Sequence, residues 1–206
     1  MKKRSPSFAG LILAAGESSR MGRDKALLPW RGATFLSAAI NALEPHCDLV
    51  IIVGGKNAAS LQPVTYSAGV FLVVNSAPER GQFSSLQVGL QHVLERGRDA
   101  ALVALVDRPP ARSQTIAAIR DRFCEVCAQG LWAVVPEYGG QHGHPVAIGR
   151  EMIERFLKAP VNSTARDIEH SVQAKIEYLP VDDPAICANV DTPEDFESLT
   201  RSAGKL

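Results

Sequence analysis

The chain has 206 residues, 46% of them apolar, and 22 basic residues balance 22 acidic ones. That apolar content supports a sizeable core and excludes a disordered chain. A formal net charge of zero gives no broad field for nucleic acid or an anionic membrane, so the expected partner is a small molecule.

The apolar and polar runs alternate along the chain. A basic tail over 1–7 leads into a buried strand over 9–13, and a polar, small-residue loop follows. The basic start and the apolar run imitate a secretory leader, but the run is short, and cleavage near Ala15 would destroy the most specific motif in the chain. No run reaches membrane-spanning length, and the expected location is the cytoplasm. Thr34 caps a helix that Pro45 ends, with Phe35, Leu36, Ala39, Ile40 and Leu43 on one face. A β-branched strand over 49–53 turns at Gly54 into a short helix over 58–61. A strand over 70–74 stops at Asn75, and Ser84 or Ser85 opens a helix carrying Leu86, Leu90, Val93 and Leu94. The strand over 101–106 ends in Asp107. A helix over 113–128, a strand over 131–135, a Gly-rich loop over 137–145 and a strand over 146–148 follow. Next come a helix around Met152 and Phe156, loop and short helix over 159–174, and strands over 176–179 and 186–190. The last strand ends at Asp191 before a final helix with Phe196 and Leu199.

Strands alternating with helices predict a single three-layer domain over 1–206, a doubly wound, mostly parallel α/β sheet. Ligands of such sheets bind outside the carboxyl ends of the strands, where Gly16, Gly54, Asn75, Asp107 and Asp191 fall. Cys124 and Cys127 form a lone C-x-x-C late in a helix. With Cys47 and Cys187 they read as ordinary thiols.

The loop LILAAGESSRMGRDKALLP carries the chemistry. A buried strand feeding a basic, small-residue loop offers backbone N–H groups to phosphate. Leu13, Ala14, Ala15 and Gly16 let the backbone approach a ligand closely, and Arg20 and Lys25 add charge. The spacing fits neither the Walker pattern nor G-x-G-x-x-G. L-A-A-G-x-S-x-R-M-G-x-x-K resembles the signature of the MobA-like NTP transferases, and its AAG form resembles their molybdenum cofactor cytidylyltransferases. Four further stretches extend the likeness over most of the chain. Asp107 and Pro109 match the family's Asp-x-Pro. Asn75, Gly81, Ser84 and Ser85 match a nucleotide-contacting turn, although Ser84 with Gln87 also reads as a capping box. Gly143-His144-Pro145 matches G-H-P, and D-T-P-E-D from Asp191 matches the closing motif. Val106 and Arg108 stand where many members carry Gly and Met.

The resemblance implies a Rossmann-like fold of the nucleotide-diphospho-sugar transferase type. It also implies transfer of an NMP from an NTP to a phosphorylated small-molecule acceptor. Lys25 and Arg20 would serve the phosphates. Asp107 would hold Mg²⁺, with Asp191 as a second contact or a solvated carboxylate. His144 and Arg166 would face the acceptor; a solvated helix Arg is the alternative for Arg166. In this family A-A-G accompanies CTP, and the methyl of Ala15 should crowd a purine, so CTP and molybdopterin are the expected substrates. A sugar-phosphate nucleotidyltransferase and a non-catalytic nucleotide-binding regulator are the alternatives. A nicotinamide dehydrogenase would need an acidic residue where Gly54 stands.

Overall fold

The computed structural model describes residues 5–16, 21–160 and 162–203. Ten strands form: β1 Phe8–Leu13, β2 Pro29–Trp30, β3 Ala33–Thr34, β4 Leu49–Gly54, β5 Phe71–Val74, β6 Ala100–Leu105, β7 Ala133–Tyr138, β8 Gln141–His142, β9 Val146–Gly149 and β10 Ile176–Pro180. The helices are α1 Phe35–Leu43, α2 Ala58–Ser67, α3 Gln82–Glu95, α4 Ser113–Val126, α5 Arg150–Leu157, α6 Ala165–Ser171 and α7 Pro193–Ala203. One eight-stranded sheet runs β10-β7-β9-β6-β1-β4-β5, with β8 paired to β7. The pairs β1–β4, β1–β6, β4–β5 and β10–β7 are parallel, while β9 runs antiparallel to both β6 and β7. The reversal of β9 brings its start, just after His144, to the edge where the parallel strands end. The mostly parallel α/β sheet expected from the alternation is therefore present.

The period-2 pattern of β1 divides the core. Phe8 and Ile12 pack with α1 and α4 (Leu36, Ile40, Ile116 and Phe123), whereas Ala9, Leu11 and Leu13 pack with α3 and α5 (Leu86, Leu90, Ile153 and Phe156). Gly89 lets α3 lie directly on the sheet. A Cβ there would sit 2.5 Å from Leu11 Cδ1 and 2.8 Å from Val53 Cγ2. A third cluster joins Met21, Leu28, Trp30, Phe35 and Val190, with Phe196 and Leu199 against it.

Four expectations are corrected. Residues 186–190 form no strand: Pro184–Cys187 is a 3-10 turn, and the chain beyond it crosses the strand ends. Ile186 and Val190 are 0% and 1% exposed, so the apolar signal was burial without pairing. Helix α3 opens at Gly81 rather than at Ser84 or Ser85, and Ser84 and Gln87 form no capping box. Gln87 Nε2 instead donates to the carbonyls of Phe156 and Ala159, at 3.0 and 3.3 Å. Helix α2 continues past Leu61 to Ser67. The Gly-rich loop contains the β7–β8 hairpin, with Gly139 and Gly140 at φ 57° and 76° supplying the positive φ that such two-residue turns need. The small β2–β3 ribbon turns likewise through Arg31 and Gly32, at φ 47° and 81°. The four cysteines are half-buried thiols; burial pushes Cys47 up to about 12 and raises Cys124.

Replacing Gly89 by Val should overpack the α3–β1 contact and cost about 1–3 kcal/mol. Urea unfolding should show a lower midpoint with an unchanged m value; an unmoved midpoint would show that α3 is free to lift.

Candidate active site

The polar residues at the strand ends are tied to one another before any ligand arrives. Ala14 N donates to Val53 O at 2.8 Å, extending the β1–β4 ladder. Asn57, which sequence reading passed over, locks the loop. Its Nδ2 donates to Ala14 O at 2.9 Å and to Asp24 Oδ2 at 2.7 Å, while its Oδ1 accepts from Gly55 N at 3.0 Å. Asp24 Oδ1 caps the 3-10 turn Lys25–Leu27 by accepting from Ala26 N at 3.0 Å. Gly55 is required here because a Cβ would lie 2.9 Å from Ala15 O. Leu13, Ala14 and Ala15 are buried, and among the described residues nothing lies within 4 Å of a Cβ built on Gly16. Arg20, expected to serve the phosphates, lies outside the described residues together with Ser18 and Ser19.

Lys25 and Asp191 meet as an ion pair, Nζ to Oδ1 at 2.8 Å, with the lysine side chain 13% exposed. Asp191 is held by the start of α7. Thr192 and Asp195 bond each other's backbone at 2.9 and 3.2 Å, a capping box that leaves Asp191 to the cleft. Val190 N donates to Asp107 O at 2.9 Å, which brings the same segment onto the tip of β6. Desolvation raises the Asp107 carboxyl above its usual range; Lys25 and Arg108 pull it down, and the nearby Asp191 charge pushes it up. Among the described residues Asp107 Oδ1 is buried with no hydrogen-bond partner. A buried carboxylate oxygen without a donor is costly, and it suits a hard cation. Asp107 and Asp191 together match a divalent ion that takes one or two carboxylates and completes its shell with phosphate oxygens.

The turn after β5 is built around Asn75, which is 4% exposed. Its Oδ1 accepts from Ala77 N at 3.0 Å, and its Nδ2 donates to Ser84 Oγ at 2.9 Å and Ser85 Oγ at 3.0 Å. Both amide protons are spent inside the turn, so Asn75 shapes the segment from Gly81 to Ser85. Gly81, at φ 93°, opens α3 there.

A cavity of about 1130 Å³ lies beside the Lys25–Asp191–Asp107 cluster rather than on it. Apolar Leu13, Leu105, Phe83, Leu86 and Val146 line it together with His144, with polar Arg80, Gln82 and Asn162, and with Arg166 and Glu169 of α6. Arg166 is exposed and Glu169 half-buried. His144 Nδ1 lies 3.1 Å from Val103 O, and its backbone N donates to Ile186 O at 3.0 Å. Gly143 lets that carbonyl approach, since a Cβ would sit 2.5 Å from it. Arg108 Nη1 donates to the same carbonyl at 2.7 Å. The segment over 184–191 is thus pinned by β6, by the start of β9 and by Arg108. Burial, with the Arg108 charge beside it, lowers His144 from 6.5 to about 4, so its ring is neutral near pH 7. The depressed value means that the unfolded chain takes up this proton before the folded chain does. Stability should therefore fall as pH drops from 6.5 toward about 4. In His144→Asn, which keeps an N–H for Val103 O, that part of the pH dependence should vanish; an unchanged unfolding profile would refute the assignment.

Comparison with known proteins identifies the family. The MobA-like NTP transferase domain matches residues 10–177. A probable molybdenum cofactor guanylyltransferase of Mycobacterium avium is 28% identical over 201 residues, 96% of this chain and 98% of that one. The molybdenum cofactor cytidylyltransferase of Escherichia coli K12 is 24% identical, covering 90% and 92%. Nicotine blue oxidoreductase of Paenarthrobacter nicotinovorans is 36% identical, covering 94% and 97%. Among solved structures, the manganese complex of Rv0371c from Mycobacterium tuberculosis H37Rv superposes with a TM-score of 0.73 at 24% identity, over 95% of this chain and 99% of that one. The matched domain spans most of the sheet and the loop that carries Lys25, and on that ground the chain belongs to the MobA-like NTP transferases, a family of nucleotidyltransferases.

Proposed function

We propose that the protein transfers an NMP, with CMP favoured, from an NTP to the phosphate of a small-molecule acceptor, and that the acceptor is molybdopterin. The observation that carries this reading is the buried, partnerless oxygen of Asp107 beside the Lys25–Asp191 pair, at the strand tip next to the phosphate loop. Relatives named for both guanylyl and cytidylyl transfer to the molybdenum cofactor support the acceptor. The acceptor enters the cavity with its phosphate toward Leu105 and His144. One of its oxygens attacks the α-phosphorus; the new P–O bond forms as the α–β bond breaks and pyrophosphate leaves. Loop amides and Lys25 meet the phosphate oxygens, so positioning and charge neutralisation supply the rate. Asp107 and Asp191 would hold Mg²⁺, and the manganese in the related structure supports a divalent ion. When bound, such an ion neutralises charge on the phosphoryl oxygens and aligns them. Lys25 must then turn from Asp191 toward the nucleotide.

The preference for cytosine rests on the A-A-G form of the loop, in which Ala15 carries a methyl that would crowd a purine; that methyl lies against Gly55, where a Cβ would sit 3.3 Å from it. The identity to nicotine blue oxidoreductase favours a second reading, oxidoreductase chemistry on that compound. The two are separated by assaying pyrophosphate release from the four NTPs, with molybdopterin and sugar phosphates as acceptors, beside consumption of NADH or NADPH with nicotine blue. Pyrophosphate release that needs both an NTP and a phosphorylated acceptor supports the first reading; reduced-nicotinamide consumption without it supports the second.

Asp107→Asn should keep the thermal midpoint and lower kcat by roughly a hundredfold or more, because one metal-ligand charge is lost. Wild-type turnover with the same divalent-ion dependence would remove Asp107 from the site. Ala15→Gly should relax the CTP/GTP ratio of kcat/KM by roughly tenfold without reversing it, since one methyl discriminates by only ~1–3 kcal/mol. An unchanged ratio in paired kinetics would show that Ala15 does not read the base.

A further inference from the structure

Asn57 stands where α2 begins, and its carbonyl accepts from Ser60 N at 2.9 Å and Leu61 N at 3.2 Å. An asparagine at that position normally turns its side-chain oxygen onto the first N–H groups of the helix, which stabilises the helix start. Among the described residues no such bond is made. The side chain turns back across the β4–α2 turn instead. Its Oδ1 accepts from Gly55 N at 3.0 Å, and its Nδ2 donates to Ala14 O at 2.9 Å and to Asp24 Oδ2 at 2.7 Å. The reverse amide orientation would set an oxygen against two acceptors, so these partners fix the one described. A helix cap has been given up for a grip on the loop after β1.

The two acceptors of Nδ2 belong to opposite sides of Gly16 in the sequence. Ala14 leads into the backbone at Ala15 and Gly16. Asp24 caps the 3-10 turn that opens with Lys25, accepting from Ala26 N at 3.0 Å. The strand and turn before Asn57 touch the same loop twice more: Val53 O accepts from Ala14 N at 2.8 Å, and Gly55 leaves room for Ala15 O. Two donors on one nitrogen with an acceptor beside it are what an amide offers. An aspartate of the same shape has neither donor, and a serine has one. We propose that Asn57 is a positioning residue for nucleotide binding: by holding Ala14 and Asp24 to one nitrogen, it sets the backbone at Ala15 and Gly16 and the ammonium of Lys25 to meet one row of phosphates. The assignment rests on reading this loop as the NTP site. Asn57 acts through Ala14 and Asp24, not through contact with the nucleotide.

Calorimetric titration of the full chain with CTP and with tripolyphosphate, each in the presence of Mg²⁺, tests it without acceptor or turnover. Asn57→Asp keeps the shape, removes both donors and sets two carboxylates against each other. It should weaken both ligands by the same factor, roughly tenfold or more. Adding Asp24→Asn restores a donor between the two positions and the wild-type net charge, and affinity for both ligands should return to within about threefold of wild type. Asn57→Ala, which adds no charge, should also weaken both ligands, and it decides by itself if the exchange variant fails to fold. A lowered thermal midpoint with unchanged affinity in Asn57→Ala would leave only a structural bond and overturn the assignment. A loss in Asn57→Asp that Asp24→Asn leaves in place would overturn it too. Wild-type protein that binds neither ligand would remove the nucleotide reading and this one together. Pyrophosphate release is read separately: if no acceptor supports it while the variants still lose affinity, the transfer reading falls and the role of Asn57 stands.

Discussion

The Lys25–Asp191 ion pair is the contact on which the site depends. It joins residues 166 positions apart, one on the loop after β1 and one at the entrance to α7. Around it the protein has gathered charges of both signs within reach of Asp107, whose Oδ1 is buried with no hydrogen-bond partner among the described residues. Such an arrangement is poor as a way to stabilise a fold, because desolvation offsets most of the attraction between buried charges. It makes sense as a site prepared for a ligand that brings both negative oxygens and a cation. Lys25 then has an anion to turn to, and the carboxylates have a partner to keep.

The two sides of the cleft are built differently. At the loop after β1 and the turn after β5 the backbone is fixed by polar bonds: Asn57 to Ala14 and Asp24, Asp24 to Ala26, and Asn75 to the two serines. These bonds shape the loop and hold its backbone in place. The cavity beside the cluster is roomy and lined by apolar and polar side chains alike.

Much of this was legible in the sequence, for definite reasons. Buried parallel strands read as unbroken apolar runs, and a carboxylate or small residue that ends such a run sits at the strand tip, as Asp107 and Ala14 to Gly16 do. The part that misled was also physical. Ile186 and Val190 are as apolar and as buried as strand residues, but they are covered by crossing the sheet's end, and composition alone does not separate the two modes of burial. Ser84 with Gln87 satisfies a capping pattern, yet Asn75 claims the serine and the α5 end claims the glutamine, both through contacts distant in sequence. Asn57 and Asp24 gave no motif. Their parts come from who lies beside them in space, and a polar residue in a loop offers no local sign of that.

The third apolar cluster has a consequence for how the molecule opens. Met21, Leu28, Trp30, Phe35 and Val190, with Phe196 and Leu199, form a small core of their own beside the sheet. Helix α7 reaches that core through Phe196 and Leu199, a small apolar contact beside those that hold the sheet. Cooperative units of this kind open at lower free energy than the main sheet. The unit that clamps Asp191 onto Lys25 can therefore come away while the sheet remains folded, and amides over 190–200 should exchange with solvent well before those of β1 and β6. Occupation of the cleft would slow that exchange, because the ligand is held by both sides of the seam it closes.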